Sequence, residues 1–182
     1  MPTLSAMDQQ LETARLRLRP WQMSDAASVR RLWAERDRRS LHVIDADGNP
    51  TVDHLRTELE KQLAQSATSG LALLAVERRT EGDMIGYCGL IVGRATWEEP
   101  EIAYELFEHA HGQGYATEAA QAVVEAATST GRTRLWATVR DWNTASFRVL
   151  EKLGFVRTDK VSADPERGDL IWTTCRLKPD PS

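Results

Sequence analysis

Between residues 101 and 127 the hydrophobic pattern changes period across a pair of glycines, and this change restricts the fold more than any other feature of the chain. Glu101 to Phe107 reads as a strand; Gly112 and Gly114 follow, and then Ala116, Ala119, Ala120, Val123 and Ala127 at helical spacing. Small residues along that stripe let the helix lie close to a sheet. The two glycines permit backbone angles closed to other residues, so consecutive N–H groups can converge on an anion at the helix N-terminus, where the dipole favours negative charge. His111-Gly112-Gln113-Gly114-Tyr115-Ala116-Thr117-Glu118 thus has the chemistry of a phosphate cradle, against the plainer reading of a turn before a packed helix. It has no third glycine at the dinucleotide spacing and no Gly-Lys-Ser/Thr of a nucleotide-triphosphate loop.

The rest of the chain supplies a sheet and further helices around this junction. Leu16 and Leu18 alternate with Arg15, Arg17 and Arg19 as a strand with one buried face, and Ser24 is a plausible N-cap for a helix through Ala27, Val29 and Trp33. Turn chemistry at 45–50 precedes a second amphipathic helix from Val52 to Ser66, with Leu55, Leu59 and Leu63 at four-residue steps. Leu71 to Glu77 and Met84 to Val92 read as a hairpin; Leu135 to Val139 is a strand and Thr144 to Leu153 a helix stopped at Gly154. Phe155 to Val161 and Leu170 to Leu177 close the order β-α-α-β-β-β-α-β-α-β-β, which is α+β (mixed α/β) rather than the strict alternation of a doubly wound sheet.

Length and charge remove several function classes. A chain of 182 residues without linker or repeat reads as one domain over 1–182, with an ordered core expected at about 11–178. A formal charge of −4 gives no footprint for nucleic acid. No apolar run approaches the roughly 20 residues needed to span a bilayer, and the first residues lack the pattern of a signal peptide. The expectation is a cytoplasmic protein with neither nucleic-acid nor membrane partners. Cys88 and Cys175 sit in apolar strand-like runs and read as buried free thiols.

A second polar segment follows the cradle. In Asn143-Thr144-Ala145-Ser146-Phe147-Arg148-Val149-Leu150-Glu151-Lys152-Leu153-Gly154-Phe155, Asn143 can cap a helix and Ser146 lies one turn further on the same face. Together the two segments resemble the GNAT acetyltransferase superfamily, and within it the RimJ/RimL-like branch of ribosomal-protein N-terminal acetyltransferases. The resemblance covers nearly the whole chain, including Leu11 to Trp21, Ile85-Gly86-Tyr87-Cys88-Gly89-Leu90 and Glu101-Ile102-Ala103-Tyr104-Glu105-Leu106. It implies a GNAT acyl-CoA N-acyltransferase fold, a single central mixed, mostly antiparallel sheet flanked by about four helices. It further implies that acetyl-CoA is the acyl donor, with no metal. The CoA pyrophosphate would lie on His111, Gly112, Gln113, Gly114, Tyr115, Ala116 and Thr117, with Asn143 and Ser146 near the pantetheine or the reacting end. The strand Glu101 to Phe107 would pair with the pantetheine arm and offer a main-chain N–H to the thioester oxygen, where negative charge develops during attack.

Four departures from the family pattern bear on chemistry. His111 stands where Gln or Arg is usual, Ala103 replaces a frequent glycine, and Glu105 replaces a frequent aromatic residue and could make the acceptor pocket acidic. The tyrosine with which many members protonate the leaving thiolate is matched here by Leu150, which leaves Ser146 as the donor on that face. Glu101 and Glu105 share a strand face by period 2 and are the candidates to accept the amine proton, directly or through water. The acceptor is a primary amine, expected to be a protein or peptide N-terminus; a small-molecule amine, another donor such as succinyl-CoA, and a non-catalytic CoA sensor stand as alternatives. Monomer and homodimer are both open.

Other features carry less. His109 and His111 lack a third metal ligand. Asp45-Ala46-Asp47-Gly48-Asn49 imitates a calcium loop but has Pro50 at its sixth position and Arg56 at its twelfth. Arg36, Arg38 and Arg39 read as a solvated helix end or as a recognition site for a carboxylate.

Overall fold

Leu16 and Leu18, the apolar half of the first alternation, are completely buried, while the intervening arginine points outward. The computed structural model describes residues 3–178. The strand that carries these leucines, β2 (Leu16–Arg19), follows a two-residue β1 (Leu11–Glu12) and pairs with β3 (Leu73–Arg78). β4 (Met84–Ile91) and β5 (Glu101–Leu106) continue the sheet, followed by β6 (Arg134–Arg140), β7 (Val156–Ser162) and β8 (Leu170–Arg176). The strand order is β1-β2-β3-β4-β5-β6-β8-β7, with every neighbouring pair antiparallel except β5 and β6. The expected mixed, mostly antiparallel sheet is present.

Strand alternation divides the helices between two faces. Ala75 packs with Trp21, Val29, Leu55 and Leu59, so α1 (Ala26–Ala34) and α2 (Val52–Ser69) cover one face. Leu74, Val76, Cys88, Leu90 and Ile102 point the other way, against α3 (Tyr115–Ser129) and α4 (Thr144–Lys152). The small-residue stripe of α3 does what its composition requires: Ala119, Ala120, Val123 and Ala127 are all fully buried. Cys88 and Cys175 are free and buried, and burial pushes both thiols above their ordinary range.

Local chemistry departs from the sequence reading at three boundaries. Ser24 does not cap α1. A short 3-10 turn, Met23–Asp25, precedes α1, and the Asp25 carboxylate turns back to accept the Gln22 N–H at 2.8 Å and both terminal nitrogens of Arg19 at 2.8 and 3.0 Å, making no side-chain cap to α1 itself. α2 runs on to Ser69, past the expected Ser66, and stops where Gly70 adopts the left-handed angle φ 70°. Packing also begins before residue 11: Ser5 and Met7 donate their N–H groups to Thr130 and Gly70, and Met7 is buried.

Candidate active site

The parallel pair in the middle of the sheet barely pairs. β5 and β6 share one register position, Glu101 with Trp136, beside a Trp136 N–H to Pro100 carbonyl bond of 2.9 Å, and then part. Phe107 donates its N–H to Ile85 at 2.9 Å and so faces β4. Alternation turns Glu105 and Ala103 the same way and leaves the main-chain groups of Tyr104 and Leu106 aimed into the gap. That gap is a wedge with its apex at Glu101 and one wall made of unpaired strand edge. An extended chain bearing amide groups, as a pantetheine arm does, has there the partners that a strand would have.

The mouth of the wedge opens on the glycine loop. Gly112 and Gly114 take φ 72° and 81°, angles that the sequence reading required of glycine. Gly114 is the N-cap of α3 and brings no capping side chain. Among the described residues no main-chain carbonyl engages the N–H groups of residues 112–117, which therefore lie unpaired at the positive end of a fifteen-residue helix. Such a helix end can serve as an anion site built from main chain. His111 does not contribute to it through its ring: Nε2 donates to the Leu106 carbonyl at 2.8 Å, which closes the end of β5 and sets the tautomer. Gln113 similarly turns its side-chain amide back onto the His109 carbonyl at 2.9 Å.

Across the wedge stands the first turn of α4. Asn143 caps it, its Oδ1 accepting the Ser146 N–H at 3.2 Å. Both residues are part-exposed. Leu150, where a tyrosine would stand in many relatives, is buried in the core. Tyr104 is more than core: its phenol donates to the Ser146 carbonyl at 3.1 Å, tying β5 to α4. Burial holds that phenol above its ordinary pKa, which makes it a tether and a poor proton donor.

The two glutamates share a strand face as expected but occupy different environments, about 13 Å apart along the strand. Glu105 is clamped. Arg36 donates to it through Nε at 2.9 Å and Nη2 at 2.6 Å, and Tyr87 donates its hydroxyl at 2.9 Å. Arg36 also reaches the His42 carbonyl at 2.6 Å and lies over the Trp33 ring at 4.4 Å. The Arg36 side chain is only 14% exposed, so this arginine belongs to no solvated helix end; its charge cancels that of Glu105, and the acidic pocket read from the sequence is neutralised. Burial, reinforced by the Glu105 charge, raises the Tyr87 phenol well above its ordinary range, so it remains a donor. Glu101, by contrast, is buried at the apex with neutral partners, the Arg94 N–H and the Thr138 hydroxyl at 2.9 Å. Gly93 passes so near that a β-carbon on it would fall 2.7 Å from Glu101 Oε1.

Trp142, just before Asn143, gathers the surrounding loops: Arg39 lies over its ring at 4.1 Å and its indole N–H donates to the Arg167 carbonyl at 2.7 Å. Neither this packing nor the roles of Arg36, Tyr87 and Tyr104 could be read from the sequence, where no local pattern links such distant positions. Among the described residues no group of three or more His, Cys, Asp or Glu side chains could hold a metal ion, and no helix is long and apolar enough to cross a membrane.

A family model described as an acetyltransferase (GNAT) domain matches residues 15–156. Solved structures share the architecture. An acetyltransferase from Agrobacterium tumefaciens str. C58 is 26% identical with a TM-score of 0.72, over 96% of this chain and 98% of that one. RimJ from Mycobacterium smegmatis, in complex with CoA-disulfide, is 21% identical with a TM-score of 0.76, over 92% of this chain and 84% of its own. Ribosomal-protein-S5-alanine acetyltransferase from Vibrio fischeri is 18% identical with a TM-score of 0.72, over 94% and 100%.

Proposed function

The chain belongs to the GNAT acetyltransferase family and is an acyl-CoA-dependent acetyltransferase; on that premise we propose that it moves the acetyl group of acetyl-CoA onto the α-amine of a protein or peptide N-terminus. The observation that carries the reading is the continuity of the β5 edge with the amides of residues 112–117. An extended amide-bearing arm and a pyrophosphate, in that order, are what such a surface holds. The protein acceptor is supported by the likeness to RimJ and to the S5-alanine acetyltransferase, together with the RimJ/RimL-like motifs of the sequence.

In the proposed reaction the amine nitrogen attacks the thioester carbon from the α1/α2 face. Negative charge gathers on the thioester oxygen, and a main-chain N–H of the free β5 edge, from Tyr104 or Leu106, stabilises it without reorganising. The amine's proton passes to Glu101, directly or through water; of the two carboxylates only this one is not bound to a cation. Collapse breaks the carbon–sulfur bond, and the thiolate takes a proton from the Ser146 hydroxyl or from solvent. A thiol whose pKa lies near 8.5, as for a free cysteine, leaves without much help, so this acid supplies a modest factor.

Release of free CoA thiol from acetyl-CoA, measured with one panel of peptides varied at their N-terminal residue and another of small amines, tests the proposal. Turnover with peptides supports it. Turnover confined to small amines overturns the protein acceptor while leaving the family untouched, and turnover with neither panel, in the presence of tight acetyl-CoA binding, favours a sensor.

A further inference from the structure

The peptide between Gln113 and Gly114 sits at the centre of the cradle, and its own residues do not decide which way it faces. Glycine accepts either sign of φ at low cost, so rotating this peptide by half a turn, which changes the φ of Gly114, meets little local resistance. The decision comes from Arg15, at the foot of β2. Its Nη1 donates to the Gln113 carbonyl at 2.9 Å. The rest of the guanidinium is held so that this bond cannot wander: Nε and Nη2 donate to Glu118 at 2.7 and 2.6 Å, and Cζ lies 4.4 Å above the Tyr115 ring. Glu118 is fixed in turn by the Arg15 N–H at 2.9 Å and the Thr13 hydroxyl at 2.6 Å.

In a trans peptide the carbonyl and the following N–H point in opposite directions. Holding the Gln113 oxygen toward Arg15 therefore aims the Gly114 N–H the other way, toward the converging amides at the start of α3. We propose that Arg15 is a positioning residue for the CoA pyrophosphate. It acts through the orientation of one peptide and needs no contact with the donor, and Glu118 and Thr13 serve it by fixing the guanidinium. This inference rests on the reading of residues 111–117 as the pyrophosphate cradle.

The test uses the full chain with Arg15→Met, which keeps the stem over Tyr115 but not the donors, and Arg15→Lys, which can still reach one carbonyl. CoA affinity is measured by calorimetry. Turnover is measured with acetyl-CoA and with S-acetylpantetheine, which lacks the pyrophosphate and nucleotide, using the amine that reacts best in the panels above. Loss of one well-aimed N–H to a charged oxygen corresponds to about a tenfold change, so Arg15→Met is expected to weaken CoA about tenfold and to lower the preference for acetyl-CoA over S-acetylpantetheine by the same factor. The change appears in KM for acetyl-CoA more than in kcat, and Arg15→Lys restores part of it. The thermal midpoint of the ligand-free protein moves by no more than about 2 °C, because an ion pair this exposed contributes little to stability. An unchanged preference, an equal loss with both donors, or a collapse of the midpoint overturns the role of Arg15. If Gly114→Val also leaves the preference intact, the cradle reading itself fails first.

Discussion

The Glu105–Arg36 pair offers the sharpest check on how the acceptor side is built. Glu105→Ala removes a carboxylate that accepts Arg36 Nε at 2.9 Å, Arg36 Nη2 at 2.6 Å and the Tyr87 hydroxyl at 2.9 Å, with side-chain exposures of 14% for Arg36 and 22% for Glu105. Breaking a fully buried pair from one side costs about 3–5 kcal/mol, because the remaining charge stays desolvated. Here Arg36 keeps the His42 carbonyl and the Trp33 ring, and the pair retains some solvent contact, which reduces the expected loss to about 2–3 kcal/mol. For a chain of 182 residues that is a fall in thermal midpoint of about 4–12 °C. Replacing both partners, Arg36→Met with Glu105→Ala, removes the orphaned charge and is expected to recover more than half of the loss. The assay is a double-mutant cycle on midpoints and denaturant curves. Additivity of the two single changes to within about 0.5 kcal/mol would show that the pair is not coupled and refute the argument. Activity gives an independent reading: kcat is expected to fall much further in Glu101→Gln than in Glu105→Gln, and the reverse pattern would return the proton-accepting role to Glu105.

Ser146→Ala is expected to lower kcat about tenfold or less while the KM for acetyl-CoA changes little; turnover equal to the parent would remove Ser146 as the acid. Gly114→Val should abolish CoA binding in calorimetry, since φ is 81° and the added β-carbon would sit 3.4 Å from Arg15 Nη2. Burial alone would raise the Glu118 carboxyl, but the Thr13 hydroxyl and the Arg15 N–H groups more than offset it and hold its pKa below the usual 4.5. A depressed folded value contributes stability that is complete above about pH 4.5 and is lost as pH falls through the folded value. Glu118→Gln should therefore flatten the acid slope of the thermal midpoint below pH 4.5, and an unaltered slope would contradict the assignment.

Strands, helices and the glycine loop were legible because their signals are local. The Leu16 and Leu18 alternation, the alanine stripe of α3 and the left-handed Gly112 and Gly114 each follow from residues within a few positions of one another. What escaped depends on partners far along the chain. Arg36 looked like a solvated helix end because its neighbours Asp37, Arg38 and Arg39 are polar, and only the fold brings Glu105 to it from 69 positions away. Ser24 is not the α1 N-cap because a 3-10 turn over Met23–Asp25 comes first, and the Asp25 carboxylate in that turn is held by Arg19 on the preceding strand, a partner that no local capping pattern reveals. The wedge was invisible for a different reason: period-2 patterning marks which residues form strands and says nothing about where two strands part.

That parting has a structural cost, and the side chains around it show how the cost is met. A strand in the middle of a sheet that leaves its edge unpaired exposes N–H and C=O groups that elsewhere in the sheet are hydrogen-bonded. At the apex, Thr138 on β6 donates to Glu101 on β5, and the Trp136 N–H to Pro100 carbonyl bond locks the strands where they still touch. At the mouth, Tyr104 reaches from β5 to the Ser146 carbonyl on α4, and His111 takes the Leu106 carbonyl. The opening is thus fixed at both ends while the groups between stay free, which a merely frayed sheet would not provide. Tyr104→Phe is the variant that separates these two cases. If the tether sets the width of the cleft, it should raise the KM for acetyl-CoA several-fold, with a stability loss of about 1 kcal/mol for a single neutral hydrogen bond. A midpoint shift of that size with an unaltered KM would mean that the phenol only fills the core.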